Sequence, residues 1–194
     1  MSAKAKNWPP HITYISAPKY SPRLSKEQIK ALAICPEGII KVPDEICRLP
    51  SSQAKIVPIA NATHPACGQA GLFATKSLKP GTPILLYLGI VHPPDASHEA
   101  SDYDLWLDHE LEISVDAATM GNEARFINDY RGVKDRPNAE FREVWSVRHR
   151  QRCMAVFVLD EGKSRTRTAG INKGEEILVS YGKGFWQKRQ QEQN

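Results

Sequence analysis

Three separated stretches of this sequence hold residues whose types and spacing can do chemistry. Gly68-Gln69-Ala70-Gly71 sets three small residues within four positions, which lets main-chain groups approach a bound molecule closely. Arg125 and Asn128 stand among Ala124, Phe126 and Ile127, so each must find a polar partner where the segment is buried. Tyr181 lies between Ser180 and Gly182, downstream of Gly174-Glu175-Glu176, and a phenol held on such a turn can orient a reacting group through its hydroxyl. Each stretch also has a plainer explanation: a glycine turn, a capped turn or internal ion pair, and a tyrosine in ordinary packing.

Bringing the three together requires a folded domain, and its elements can be read from Ala54 onward as short β-rich runs separated by Gly, Pro and Asn. Lys55–Ile59 reads as an edge strand, because Pro58 cannot donate to a ladder. Gly71–Ala74 and Ile84–Tyr87 read as strands flanking a Lys79-Pro80-Gly81 turn. Tyr103 to Asp108 and Leu111 to Asp116 alternate apolar with polar residues and predict a hairpin about His109-Glu110. Met154–Leu159 and Glu176–Val179 are further short strands, with a turn or two of helix near Ala117–Ile127. Ahead of these, Ser25 and Gln28 form a capping-box pattern for a helix that Pro36 must end, and a second short helix is expected near Asp44–Leu49. The expected organisation is a basic, partly helical arm over 1–53, a mostly β domain with short helices over 54–186, and a short tail over 187–194.

The 194 residues are 41% hydrophobic, and Cys35, Cys47, Cys67 and Cys153 form no C-x-x-C pair, so neither a disulfide framework nor a zinc site is indicated. No run of about eighteen apolar residues and no hydrophobic signal core is present, and a soluble, unsecreted protein is expected. Charge is uneven: the net value is +4, yet no Lys or Arg falls between Pro80 and Ala124, where nine of the 22 acids lie. That band is either a solvated acidic face or a groove for a basic peptide. Arg148, Arg150, Arg152, Lys163, Arg165 and Arg167 form a basic run suited to phosphate contact more than to base reading.

Taken in order, the three stretches resemble the SET domain of protein lysine methyltransferases, over roughly Ala54 to Trp186. The resemblance is carried first by Gly68-Gln69-Ala70-Gly71-Leu72-Phe73-Ala74, with Lys79-Pro80-Gly81 and Tyr87-Leu88-Gly89 after it. Next come Asp116-Ala117, Gly121-Asn122-Glu123-Ala124-Arg125-Phe126-Ile127-Asn128 and Pro137-Asn138-Ala139. Ile171-Asn172-Lys173-Gly174-Glu175-Glu176-Ile177, Tyr181-Gly182 and Phe185-Trp186 complete it. The resemblance implies a SET-domain fold, with small β-sheets and a pseudoknot near the C-terminus. It also implies S-adenosylmethionine as cofactor, leaving as S-adenosylhomocysteine. Cofactor contacts would come from Gly68, Gln69, Ala70, Met120, Arg125, Asn128, Asp129, Tyr181 and Trp186. Tyr181 and Tyr103 would be the catalytic tyrosines, with Tyr103, Val179 and Phe185 along the lysine channel. Val179 stands where many SET enzymes carry Phe or Tyr, and its smaller side chain would admit products beyond monomethyl-lysine.

The sequence departs from the family where the usual Asn-His-Ser-Cys is Asn128-Asp129-Tyr130-Arg131, and residues 187–194 hold no cysteine. A pocket without zinc is therefore expected, closed by Phe185 and Trp186, with Asp129 supplying main-chain contacts in place of the histidine. The implied substrate is a basic peptide, a histone tail first, with a weak contact to nucleosomal DNA, no membrane, and a nuclear or nucleocytoplasmic location. The alternatives are a SET-fold chromatin-binding module without catalysis and a methyltransferase of a non-histone protein.

Overall fold

The structure, a computed structural model, describes residues 4–95, 98, 101–160, 170–182 and 185–186. Its strands are β1 (Thr13–Tyr14), β2 (Lys19–Tyr20), β3 (Lys41–Val42), β4 (Ala54–Pro58), β5 (Ala70–Ala74), β6 (Pro83–Tyr87) and β7 (Ile90–His92). They continue with β8 (Asp104–Asp108), β9 (Ile113–Asp116), β10 (Met120–Gly121), β11 (Asn128–Asp129), β12 (Ala139–Ser146), β13 (Gln151–Val158) and β14 (Leu178–Val179). Two four-stranded sheets, β3-β12-β13-β6 and β2-β7-β9-β8, are joined by the pairs β4-β5, β1-β10 and β11-β14. The fold is mostly β, as the short runs between turn residues imply.

Local chemistry accounts for most of these elements. β4 and β5 pair antiparallel from Ala54 with Ala74 to Pro58 with Ala70, and Pro58 sits at the strand end, where its missing donor matters least. The Lys79-Pro80-Gly81 turn closes with the Thr82 amide donating to the Lys79 carbonyl at 3.2 Å. Asp108 Oδ1 accepts from the amides of Glu110 and Leu111 at 2.8 and 2.9 Å, an Asx turn that reverses β8 into β9. Alternation along β8 buries Leu107 and leaves Trp106 exposed, whereas β9 is buried throughout, Ser114 and Asp116 with Ile113 and Val115. The Ser25 capping box opens the single α-helix among the described residues, α1 (Lys26–Leu32), which buries Leu32 and stops short of Pro36. At Asp44–Cys47 and Glu123–Phe126 the helical segments are single 3-10 turns.

Two parts of the fold have no clean periodicity behind them. In the β12–β13 hairpin, Arg142 pairs with Glu140 and Asp160, and Arg152 pairs with Glu143 and Asp108. Charges on these strands therefore satisfy one another while Ala139, Val144 and Val156 are buried. Residues ahead of Ala54 are woven into the sheets, β1 parallel to β10, β2 to β7 and β3 to β12. Glu123, buried, accepts the Ser51 amide at 2.7 Å and fastens that region to the second motif. Arg148 donates to both oxygens of Asp44 at 3.1 and 3.2 Å, so it and Arg152 are committed to carboxylates. Lys163, Arg165, Arg167 and the 187–194 tail lie outside the described residues. Among the described residues no helix is long and apolar enough to cross a membrane.

The crossed connection near the C-terminus brings the three motifs together. β11 runs parallel to β14, Asn128 beside Leu178 and Asp129 beside Val179. From the loop beyond β11, Asn138 accepts the Leu178 amide at Oδ1 and donates from Nδ2 to the Glu176 carbonyl, each at 2.8 Å. On the opposite side the Ile177 amide donates to the Leu72 carbonyl of β5 at 2.8 Å. The segment leading to Tyr181 is thus gripped by the other two motifs, in a connection that ordinary domains avoid.

Candidate active site

Between β4 and β5 the chain folds back on itself, the Gly68 amide donating to the Ile59 carbonyl and the Ile59 amide to the Gln69 carbonyl, both at 2.9 Å. Gly68 has φ +82° with open space where a Cβ would stand, so the turn itself calls for glycine. Gly71 is required for another reason: a Cβ there would lie 2.4 Å from Glu176 Oε1 and 3.1 Å from Asn128 Nδ2.

In the second motif, Asn122 is fully buried and completes β6, accepting the Leu88 amide at 3.1 Å and donating to the Leu86 carbonyl at 2.8 Å. The 3-10 turn that follows aims Arg125 inward, where Nε donates to the Ala117 carbonyl at 3.0 Å. Its guanidinium lies 4.2 Å from the centroid of the Tyr103 ring, a cation–π contact. Asn128 Nδ2 donates to Glu176 Oε1 at 2.9 Å and to the Ala70 carbonyl at 3.4 Å.

Tyr181 follows β14. Its hydroxyl donates to the Ile127 carbonyl at 2.6 Å and its amide to Asp129 Oδ2 at 2.7 Å. Asp129 is buried and acts as a hub. Oδ1 accepts the Arg131 amide at 2.8 Å, the Arg131 guanidinium spans both oxygens at 3.1 and 2.8 Å, and Oδ2 also takes the Trp186 indole N–H at 3.3 Å. The side chain at this position thus ties the second motif to the third, which the family's histidine gave no reason to expect. Phe185 meets the Tyr181 ring edge-on at 4.8 Å between centroids, and Trp186 meets Phe185 at 5.5 Å.

A cavity of about 530 Å³ opens where these segments meet, walled by Gly68, Gln69, Ala70, Tyr103, Arg125, Asn128, Asp129, Tyr181, Phe185 and Trp186. A narrower space of about 100 Å³ shares Tyr103, Arg125, Tyr181 and Phe185 with it and continues between Tyr87, Ala124, Ile127 and Phe141. Tyr181 stands at the junction. Burial, reinforced by Tyr181 and Asp116 nearby, holds the Tyr87 phenol well above its ordinary range, and its hydroxyl donates to the Tyr103 carbonyl at 2.7 Å. Asp102 and Asp104 also line the narrow space, and burial raises the Asp104 carboxyl against the opposing effect of His92.

Two residues expected at the site lie elsewhere. Met120 pairs with Thr13 on β10 and packs on the apolar cluster that contains Leu86 and Leu88, while Val179 is buried on β14, and neither lines either space. Conversely, Asn7, Pro9, His11 and Ile12 form a wall of the larger cavity, and His64 another part of it. Trp8 holds the first wall in place, its indole donating to the Ile12 carbonyl at 2.7 Å and its ring meeting Phe126 edge-on at 5.7 Å. A large aromatic in a polar arm is the one sequence sign of this.

Small sheets thus surround a crossed C-terminal connection, with a cavity at the crossing and a tyrosine at its neck. A family model of the SET domain matches residues 69–182, more than half of the chain, and the chain belongs to the SET-domain family. No curated protein sequence matches it. Among solved structures it is similar to a humanized mutant of Chaetomium thermophilum polycomb repressive complex 2 bound to an inhibitor, at 22% identity and TM-score 0.52, over 71% of this chain and 16% of that one. It is also similar to the Chaetomium thermophilum complex in an autoinhibited conformation bound to S-adenosylmethionine, at 23% identity and TM-score 0.50, over 74% and 17%. An active polycomb repressive complex 2 in the basal state matches at 24% identity and TM-score 0.51, over 70% and 16%. The chain spans about a sixth of the length of those chains, and the likeness is one of fold.

Proposed function

We propose that this chain is an S-adenosylmethionine-dependent protein lysine N-methyltransferase acting on a basic peptide. The observation that carries the reading is Tyr181 at the neck between the wide and narrow cavities, with its proton committed to the Ile127 carbonyl. The wide cavity, about 530 Å³, has the size of a small-molecule site. Main chain at Gly68, Gln69 and Ala70 and the side-chain oxygen of Asn128 suit an amino-acid end, and Phe185 and Trp186 suit a flat base.

S-adenosylmethionine supplies a methyl group activated on a sulfonium. The protein's part is alignment and desolvation. With its hydrogen on the Ile127 carbonyl, the Tyr181 oxygen would act as an acceptor that orients the methyl group and the incoming amine. Tyr87, Tyr103, Ile127 and Phe141 bound a narrow, largely apolar channel, and such surroundings disfavour the charged form of a lysine whose ordinary pKa is about 10.4. The Arg125 cation over Tyr103 acts in the same direction. The lysine proton would leave to water, and the neutral amine, held in line by Tyr181, would accept the methyl group that the cofactor supplies.

Asp102 and Asp104 lie at this channel within the band that lacks Lys and Arg, and their charge favours a basic segment. A histone tail is the first candidate, which places the protein in the nucleus or between nucleus and cytoplasm. Arg148 and Arg152 hold carboxylates, so a weak nucleosomal DNA contact would fall to Arg150, Lys163, Arg165 and Arg167. Against a binding module without catalysis stands Asp129, whose carboxylate braces Tyr181 and Trp186. Calorimetric titration with S-adenosylmethionine tests the reading: saturable one-site binding is expected, and no binding would remove it.

A further inference from the structure

We infer that His64 and Glu176 are positioning residues that hold Asn128 with its side-chain oxygen toward the ammonium end of an amino-acid-bearing ligand. The inference rests on the cofactor reading above and adds two residues to it. Glu176 is a buried carboxylate, and such a group must be met by donors. Asn128 Nδ2 reaches Oε1 at 2.9 Å, and His64 Nε2 lies 3.0 Å from Oε2. The His64 side chain is only 9% exposed. Its Nδ1 accepts the Ala66 amide at 3.0 Å, so the ring hydrogen is on Nε2 and points at Glu176.

Every group in this relay therefore has one permitted direction. Glu176 and the Ala70 carbonyl both demand the amide nitrogen of Asn128 on their side. The Asn128 oxygen has no protein hydrogen-bond partner among the described residues, and Asn128 lines the wide cavity. An ammonium has donors and no acceptor, so only this orientation of the amide can receive it. His64 also belongs to the loop that carries Gly68, Gln69 and Ala70, so the same relay sets that loop against Asn128. Gly71 makes the approach feasible by leaving out the Cβ that would strike Glu176.

Glu176→Gln tests this without changing shape. It replaces one acceptor oxygen by an NH₂ group, so Asn128 or His64 meets a donor and Asn128 is free to turn over. Calorimetry would compare S-adenosylhomocysteine, which carries the ammonium, with methylthioadenosine, which does not. Glu176→Gln and His64→Leu are expected to weaken the first about 10-fold to 100-fold and the second no more than about 2-fold. His64→Gln, which keeps a donor toward Glu176, should recover part of the loss. A merely structural role would weaken both ligands alike, and that result, or no change with either, overturns the inference while leaving the cofactor reading intact. Wild-type protein that binds neither these ligands nor S-adenosylmethionine overturns both.

Discussion

Tyr181 and Ile127 are joined by a 2.6 Å hydrogen bond from the phenol to the main-chain carbonyl, which makes the phenol oxygen a fixed acceptor at the neck of the site. Tyr181→Phe removes that acceptor while leaving a ring to meet Phe185. Stability is expected to fall by about 1 kcal/mol, read by urea unfolding. Single-turnover methyl transfer should slow on the order of 100-fold, with affinity for the cofactor nearly unchanged.

Asp129→Asn keeps the size of the side chain but loses the ion pair to Arg131 and can no longer accept from every donor around it. The expected cost is about 2 kcal/mol in urea unfolding, together with weaker cofactor binding, because the Tyr181 amide and the Trp186 indole lose their common anchor. Unchanged stability and affinity would show that the hub is incidental.

The two glycines of the first motif should respond differently to alanine. Gly68→Ala strains a positive-φ turn and should cost about 1–2 kcal/mol, with no steric clash from the added methyl. Gly71→Ala forces Glu176 and Asn128 away, with a cost of about 1–3 kcal/mol and loss of cofactor binding. Thermal melts and calorimetry on the pair separate strain from collision.

Cys35 and Cys67 are exposed, whereas Cys47 and Cys153 are buried. Burial, with Cys47 close by, pushes the Cys153 thiol from 9.0 up to about 12. Below pH 9 both folded and unfolded chains keep that proton; above it the unfolded chain releases it first, so stability falls as pH rises toward about 12. A thiol reagent should find two fast cysteines in the native protein and four after denaturation. Melting temperature should drop between about pH 8 and about pH 11, less steeply in Cys153→Ala.

Much of the site was legible in the sequence because each motif is local. Glycine spacing, a polar pair in an apolar run and a tyrosine beside glycine each read alone as an ordinary turn or packed side chain, and their order, resembling the SET domain, singles out residues that the crossed connection gathers around one cavity. The β8–β9 hairpin and the Ser25 cap are local too. What escaped depends on distant partners. β1, β2 and β3 are two residues each, too short for any period to show. β12 carries charges that only cross-strand and side-by-side pairing explains. Apart from Trp8 in a polar arm, nothing in the order of residues links Asn7–Ile12 or His64 to the cavity, and Met120 and Val179 were drawn to it by the family pattern while packing elsewhere.

The most direct test is transfer of a radiolabelled methyl group from S-adenosylmethionine onto a panel of histone and non-histone proteins by the wild-type chain and Tyr181→Phe. Label on lysine of a basic substrate with the wild type, and a loss on the order of 100-fold with the variant, is the predicted result. Transfer undiminished in Tyr181→Phe would contradict the role assigned to the phenol at the neck of the site.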